Sequence, residues 1–515
     1  MPNRSTLLRR GLLPLCAAAL LCAGHLSTAA AKPVTAKAAA GKTRHAGQAR
    51  RAEPAQRLGG LPATVVAALT RAQVPPSAAS FYVIKVGAPQ PVASWNAQAP
   101  MNPASTMKLV TTFAGLQLLG PGFRWQTSLY ADNQPDNNGT INGNVYLRGH
   151  GDPKLVPEEM AKLIGTARTA GATTINGDLV LDRSYFDGSL DNGSTIDGES
   201  LRAYNVQPDA LLYAFKTLSF TVAPDPATQS VAVSVTPALA QLKLDNRLTL
   251  SRGKCRDGGS HADPVLSAQP DGTVLAAFNG SYSAECGEHV VNIAALSHND
   301  FAWGGFVAEW QQAGGRFAHA PALRLGKVPP RAFLLARHYS APLSDIVRDI
   351  NKFSNNVMAR QLFLTIGAEQ DRSGPANTAR SARVVQRWLH KQGLDMPDLV
   401  LDNGSGLSRE ERISAYDMAR LLQQAVASDV GPALIDSLPI LGVDGTLRRR
   451  LTRSNAAGNA YLKTGTLQDV RALAGYVDAL DGSRYVVVAY INHPNAARAQ
   501  EAHDALMQWV YRGAQ

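Results

Sequence analysis

Residues 103–121 read PASTMKLVTTFAGLQLLGP. Met107, Val110, Phe113, Ala114 and Leu118 recur at a period of 3.6, so the spacing predicts a helix that starts near Pro103 and stops at Gly120-Pro121. At its start Ser105 and Lys108 stand three apart, on one face and about one turn from each other. A serine hydroxyl is a poor nucleophile at neutral pH until a base comes within hydrogen-bond reach. Lysine can be that base only when burial or a neighbouring cation lowers its pKa. The helix start adds unpaired backbone N–H groups where an oxyanion would develop.

Alone, Ser-x-x-Lys is a weak signal, expected by chance about once or twice in a chain of this length. It does recur as Ser251-Arg252-Gly253-Lys254, but that copy contains Gly253, adjoins Cys255 and lies among strand-like segments, so it would not present its pair on a helix. Two further motifs follow in order. Ser354-Asn355-Asn356 falls at a break between two helical patterns, where a hydroxyl and a carboxamide can face a cleft; the plainer alternative is that Ser354 or Asn355 caps a helix. Lys463-Thr464-Gly465-Thr466 lies on a predicted strand and offers a cation and hydroxyls to a carboxylate. Gly465 there permits close backbone approach, so that a substrate could pair along the strand edge. An edge strand guarded by lysine is the alternative for that segment.

Around these motifs the chain changes character twice. Leu61–Arg71 is helical in period, and Ser80–Val86 and Pro91–Trp95 read as strands. From about Phe123 to Leu325 short alternating segments dominate, with Asn138-Gly139, Asn142-Gly143, Asn176-Gly177 and Asn279-Gly280 as hairpin-type dipeptides. A helix at Pro157–Ala170 is the main exception. Helices return from Pro342, with further ones at Thr378–Gln392 and Ala415–Ala427. The chain then reads strand, strand, helix from Asn459, the last helix covering about Ala497–Tyr511.

The bulk composition excludes some functions. The 515 residues predict two or three domains. Of the net charge of +11, +9 sits in residues 1–57, so the remainder is nearly neutral and no nucleic-acid partner is expected. Arg4, Arg9 and Arg10, an apolar run at Gly11–Ala23 and Ala29-Ala30-Ala31 have the layout of a signal peptide at 1–31. Arg9-Arg10 leaves twin-arginine export open beside the general route. Residues 32–57 read as a disordered basic tether, able at most to associate weakly with an anionic envelope. Cys255 and Cys286 remain after cleavage, and in an exported protein an isolated pair is expected to form a disulfide. The eleven histidines show no ligand spacing and no His-Glu-x-x-His occurs, so no metal is expected.

The ordered set Ser-x-x-Lys, Ser-x-Asn and Lys-Thr-Gly is that of β-lactamases and penicillin-binding proteins. The chain resembles the D-alanyl-D-alanine carboxypeptidase/endopeptidase family of low-molecular-mass penicillin-binding proteins, in which domains are inserted between the first two motifs. Arg148–Pro153, Tyr204–Leu212, Asn403–Arg409, Asp444–Leu447 and Ile491–Ala496 also resemble that family. The resemblance implies an α+β multidomain protein. Its β-lactamase/transpeptidase-like part, an antiparallel sheet with helices on both sides and a helical subdomain, would span 58–123 and 326–515, with β-rich accessory domains at 124–325. It implies Ser105 as nucleophile, Lys108 as base, Ser354 as proton relay and Asn356 as holder of the substrate amide. Lys463 would help keep Lys108 neutral, Thr464 and Thr466 would bind the terminal carboxylate beside Gly465, and the N–H groups of Ser105 and Thr466 would form the oxyanion hole. Expected ligands are peptidoglycan peptides and β-lactams, without cofactor, for a soluble protein exported to the periplasm or beyond. A β-lactamase and a non-catalytic cell-wall scaffold are the competing readings. For Asp152 and His493 turn or packing roles are expected, and Arg409 is a candidate neighbour of the cleft. The balance of carboxypeptidase and endopeptidase action, the substrate's diamino acid and the oligomeric state are not legible in the residues.

Overall fold

A five-stranded antiparallel sheet joins the two ends of the chain. In spatial order its strands are Ala460–Leu467, Val470–Asp478, Arg484–Asn492, Ala79–Lys85 and Ala93–Trp95. The computed structural model describes residues 60–192 and 196–514; the expected signal peptide and the expected tether lie outside them. Apolar runs such as Tyr485–Ile491 arise because both faces of this sheet are covered, so both alternating sets must be apolar. Val487, Ala489 and Ile491 turn to a core shared with helices Ala63–Arg71 and Gln500–Tyr511. Val486, Val488 and Tyr490 turn to the opposite core, shared with helices Lys108–Leu119, Leu343–Phe353, Asn356–Gln370, Thr378–Lys391 and Ala415–Val426. The helix predicted from residues 103–121 ends at Gly120, which adopts φ +84°.

Between the first helix of that set and the rest lies a second group of sheets with its own core around Leu129, Leu147, Phe220 and Phe278. One is five-stranded, ordered Leu323–Leu325, Leu179–Asp182, Val145–Gly149, Gln126–Ala131 and Phe333–Tyr339. The last of these pairs with Gln126–Ala131, so the inserted β structure continues past Leu325. Cys255 and Cys286 are joined by a disulfide in this group.

Two readings of the insertion need correction. Asn142-Gly143 and Asn176-Gly177 do not turn hairpins. Each carries the chain from a strand of a three-stranded sheet (Thr140–Asn142, Thr174–Asn176) into the five-stranded one. The corners stack so closely that a Cβ on Gly177 would lie 2.1 Å from the Gly143 carbonyl oxygen. Asn279-Gly280 lies inside the strand Val274–Ser283. A second helix, His298–Gln312, also lies where only strands were expected; Ser297 and Asp300 form its capping box. Its pattern was obscured by Gly304 and Gly305, poor helix formers. They are present because a Cβ at Gly305 would meet the Tyr213 ring at 2.1 Å and one at Gly304 would meet the Gln241 side chain at 1.9 Å.

Asp152 takes the turn role expected of it. Its Oδ1 accepts the Lys154 N–H at 2.9 Å, and its buried Oδ2 has no hydrogen-bond partner in the structure. Burial raises its pKa to about 7, against about 3.9 in an unfolded chain. The fold therefore holds a proton that the unfolded chain has lost, and this part of the stability falls as pH rises from about 4 through 7. Asp152→Asn should gain on wild type from pH 5 to pH 8, by on the order of 1–3 kcal/mol at the upper end. Melting curves of both proteins across that range check it; parallel curves would refute it.

Candidate active site

Ser105 lies in a 3-10 turn, Ala104–Met107, that runs directly into the helix beginning at Lys108. The Lys108 side chain is fully buried, and its Nζ has three oxygens around it. These are the Ser405 carbonyl at 2.5 Å, Asn356 Oδ1 at 2.7 Å and Ser105 Oγ at 3.0 Å. Burial, then the charge of Lys463, hold its pKa well below that of a free lysine, against an opposing pull from Glu411 and with a smaller push from Arg360. A neutral amine has two N–H bonds and one lone pair. The carbonyl and the amide oxygen can only accept, so they take both hydrogens, and the lone pair is left for the Ser105 hydroxyl. The orientation of Asn356 is fixed independently, because its Nδ2 donates to the Tyr204 carbonyl at 3.2 Å.

The Ser405 carbonyl is held in place by a loop that wraps the buried Glu411. Oε1 of that residue accepts the N–H groups of Gly404 at 2.8 Å, Asn403 at 3.1 Å and Asp402 at 3.3 Å. Gly406, with φ +80°, lies against the nucleophile's turn: a Cβ there would be 1.9 Å from the Ala104 oxygen.

Ser354 occupies the break between two helices in a left-handed conformation, φ 55°. Asn355 caps the second helix by accepting the Met358 N–H at 3.1 Å, so the capping role and the cleft-facing role fall to neighbouring residues. Lys463 Nζ donates to Ser354 Oγ at 2.7 Å and to the Thr464 carbonyl at 2.9 Å. Burial lowers the Lys463 pKa to about 7. Its strand, Ala460–Leu467, is an edge of the five-stranded sheet. A Cβ on Gly465 would meet the Pro103 oxygen at 2.8 Å and Ala104 Cβ at 3.0 Å, so this glycine lets the strand close on the Ser105 turn.

Ser105, Ser354, Asn356, Thr464, Gly465 and Thr466 all line one cavity of about 830 Å³, with Lys108 and Lys463 buried beneath it. All three motifs thus meet. The second Ser-x-x-Lys does not take part, since Ser251 ends a strand of the insertion. His493 uses Nδ1 to accept the Asn495 N–H in a turn. Arg409 pairs with Asp469 and with Asp197, of which Asp197 lines the cavity. Three residues carry parts that motif reading missed. Ser405 and Tyr204 supply carbonyls, and the Thr446 hydroxyl lies 2.9 Å from that of Thr464. Each falls in a stretch already noted as family-like, which was the available signal. Among the described residues no group of three or more His, Cys, Asp or Glu is placed to hold a metal, and no helix is long and apolar enough to cross a membrane.

With this arrangement in hand, comparison with known proteins is direct. The family model described as D-Ala-D-Ala carboxypeptidase 3 (S13) matches residues 61–512. The D-alanyl-D-alanine carboxypeptidase of Actinomadura sp. (strain R39) is 31% identical over 409 residues, covering 77% of this chain and 74% of that protein. D-alanyl-D-alanine carboxypeptidase DacB of Haemophilus influenzae is 26% identical, covering 80% of this chain and 85% of that protein. The crystal structure of penicillin binding protein 4 (dacB) from the same organism superposes with a TM-score of 0.70 at 24% identity, covering 87% of this chain and 99% of that one, a likeness of fold.

Proposed function

The chain belongs to the D-Ala-D-Ala carboxypeptidase 3 (S13) family, and on that premise we propose that it is a serine-type D-Ala-D-Ala carboxypeptidase and/or D,D-endopeptidase, inhibited by β-lactams, whose acyl-enzyme forms on Ser105. The observation that carries this reading is the Lys108 amine, held by two acceptors with its remaining lone pair 3.0 Å from Ser105 Oγ. In the proposed reaction Ser105 Oγ bonds to the carbonyl carbon of the scissile amide and its proton passes to Lys108 Nζ. The carbon–nitrogen bond then breaks, and the leaving nitrogen takes a proton delivered through Ser354 Oγ. Water adds to the ester, the bond to Ser105 breaks, and the serine recovers its hydrogen.

Asn356 keeps one Nδ2 hydrogen for the substrate amide. Thr464 and Thr466, with Lys463, receive the terminal carboxylate. The N–H groups of Ser105 and Thr466 form the oxyanion hole, where each donor contributes about 3–4 kcal/mol to the transition state. A β-lactam presents the same bond within a ring, so its leaving group stays attached and water is slow to follow. The β-rich insertion is an accessory region. Residues 1–31 serve as a signal peptide for export to the periplasm or beyond, and residues 32–57 form a basic leader on the soluble enzyme.

Wild type should bind a fluorescent penicillin covalently and Ser105→Ala should not; uptake by the alanine variant would exclude Ser105 as the nucleophile. Mass spectrometry of muropeptides then separates loss of terminal D-alanine from loss of cross-linked dimers. Steady nitrocefin turnover within seconds would instead favour a β-lactamase.

A further inference from the structure

The cavity does not end at the hydroxyls assigned to the terminal carboxylate. Arg449, Arg450, Arg471, Gln500 and His503 also line it. Because Thr446 touches Thr464, the segment that continues to Arg450 adjoins those hydroxyls, and Arg471 pairs with Thr466 across the two strands. This is the direction in which the leaving half of a substrate extends.

Two of the three arginines of this wall have no carboxylate partner among the described residues. Arg450 is satisfied by Asp504 at 2.6 Å. Arg471 donates only to the Leu467 and Val470 carbonyls, both at 2.8 Å, and no carboxylate pairs with it among the described residues. Arg449 is exposed to the cavity, with no ion pair among the described residues. His503 is 2% exposed, yet its Nε2 has no hydrogen-bond partner. Burial, then Arg450 and Arg471, push its pKa down to about 3, so it stays a neutral imidazole. In the tautomer that carries its hydrogen on Nε2, this orphaned nitrogen can donate to a carboxylate that the neighbouring Arg471 guanidinium also attracts.

We infer that Arg449, Arg471 and His503 form a second anion subsite, which takes a carboxylate of the departing stem when a cross-linked cell-wall peptide is cut. The inference rests on the reaction proposed above and names its substrate class. A departing D-alanine carries one carboxylate, and Thr464 and Thr466 already hold it. A departing peptide stem brings further carboxylates and is long enough to reach the wall. The subsite therefore tilts the enzyme toward endopeptidase action.

The test uses the purified protein and three substrates. One is a monomeric pentapeptide, one a cross-linked dimer, and one the same dimer with the free carboxylates of its leaving stem amidated except the one next to the scissile bond, which Thr464 and Thr466 hold. Covalent labelling by a fluorescent penicillin, which has no leaving stem, counts active centres in every preparation. For Arg449→Gln, kcat/KM on the acidic dimer relative to the pentapeptide should fall about tenfold, through KM. Arg449→Glu should fall further, and the amidated dimer should lose no more than the pentapeptide does. Equal losses on all three substrates, or no loss on the acidic dimer, would overturn the subsite and leave the serine hydrolase standing. Wild type that neither takes up penicillin nor cleaves any of the three would overturn both.

Discussion

Lys108→Met should slow acylation by a fluorescent penicillin by about 10²–10⁴-fold, the usual contribution of a general base. The variant removes the lone pair that faces Ser105 Oγ and puts no charge in its place. It also leaves the Ser405 carbonyl and Asn356 Oδ1 without a donor, at about 1–3 kcal/mol for each group. Against this stands a gain. The fold depresses the lysine's pKa, chiefly by burial, so over a window below about 10.4 the unfolded chain holds a proton that the fold has shed. Wild-type stability therefore rises with pH through that window, while the methionine variant has no such slope. The stability of the variant relative to wild type should fall as pH rises toward 10, and denaturant titrations at several pH values measure it. In wild type the acylation rate should decline toward acid pH as Lys108 takes up a proton. A rate with no acid limb at any pH where the protein stays folded would remove Lys108 from the role of base.

Gly406→Ala should be nearly as damaging, although Gly406 itself carries no functional group. Its φ of +80° is costly for any residue with a Cβ, by about 1 kcal/mol. The larger effect is steric. The new carbon would sit 1.9 Å from the Ala104 oxygen and 2.7 Å from the Ser105 nitrogen. Either the Ser105 turn moves, or the loop moves and takes the Ser405 carbonyl away from Lys108. A displacement of about 1 Å at a reacting group costs about 10²-fold, so acylation should fall by about that factor and the melting temperature should drop. Gly393→Ala is the matching control. Its φ is +73° but nothing lies within 4 Å of a Cβ there, so only the conformational cost applies and penicillin uptake should stay near wild type. Equal activity in the two variants would show that the loop does not position the base.

What could be read in advance divides along physical lines. The helix at 108–119 and the strands at 460–492 were legible because their apolar periods are dictated by burial against the central sheet. The motif residues were legible because the chemistry admits few substitutes. The His298–Gln312 helix was not, because Gly304 and Gly305 answer to neighbours far along the chain, Gln241 and Tyr213. The same holds at the site. That Lys108 needs Ser405 and Asn356 to aim its lone pair is a fact of three segments meeting, and no single window of residues contains it.

The order of strands in the central sheet bears on when this enzyme becomes dangerous to its own cell. Ala79–Lys85 has for neighbours only Ala93–Trp95 and Arg484–Asn492, one of the last strands to be synthesised. A nascent chain thus carries its nucleophile early but cannot yet seat it. The reactive centre is completed only when residues 460–492 have been made, so hydrolytic capacity is withheld until then.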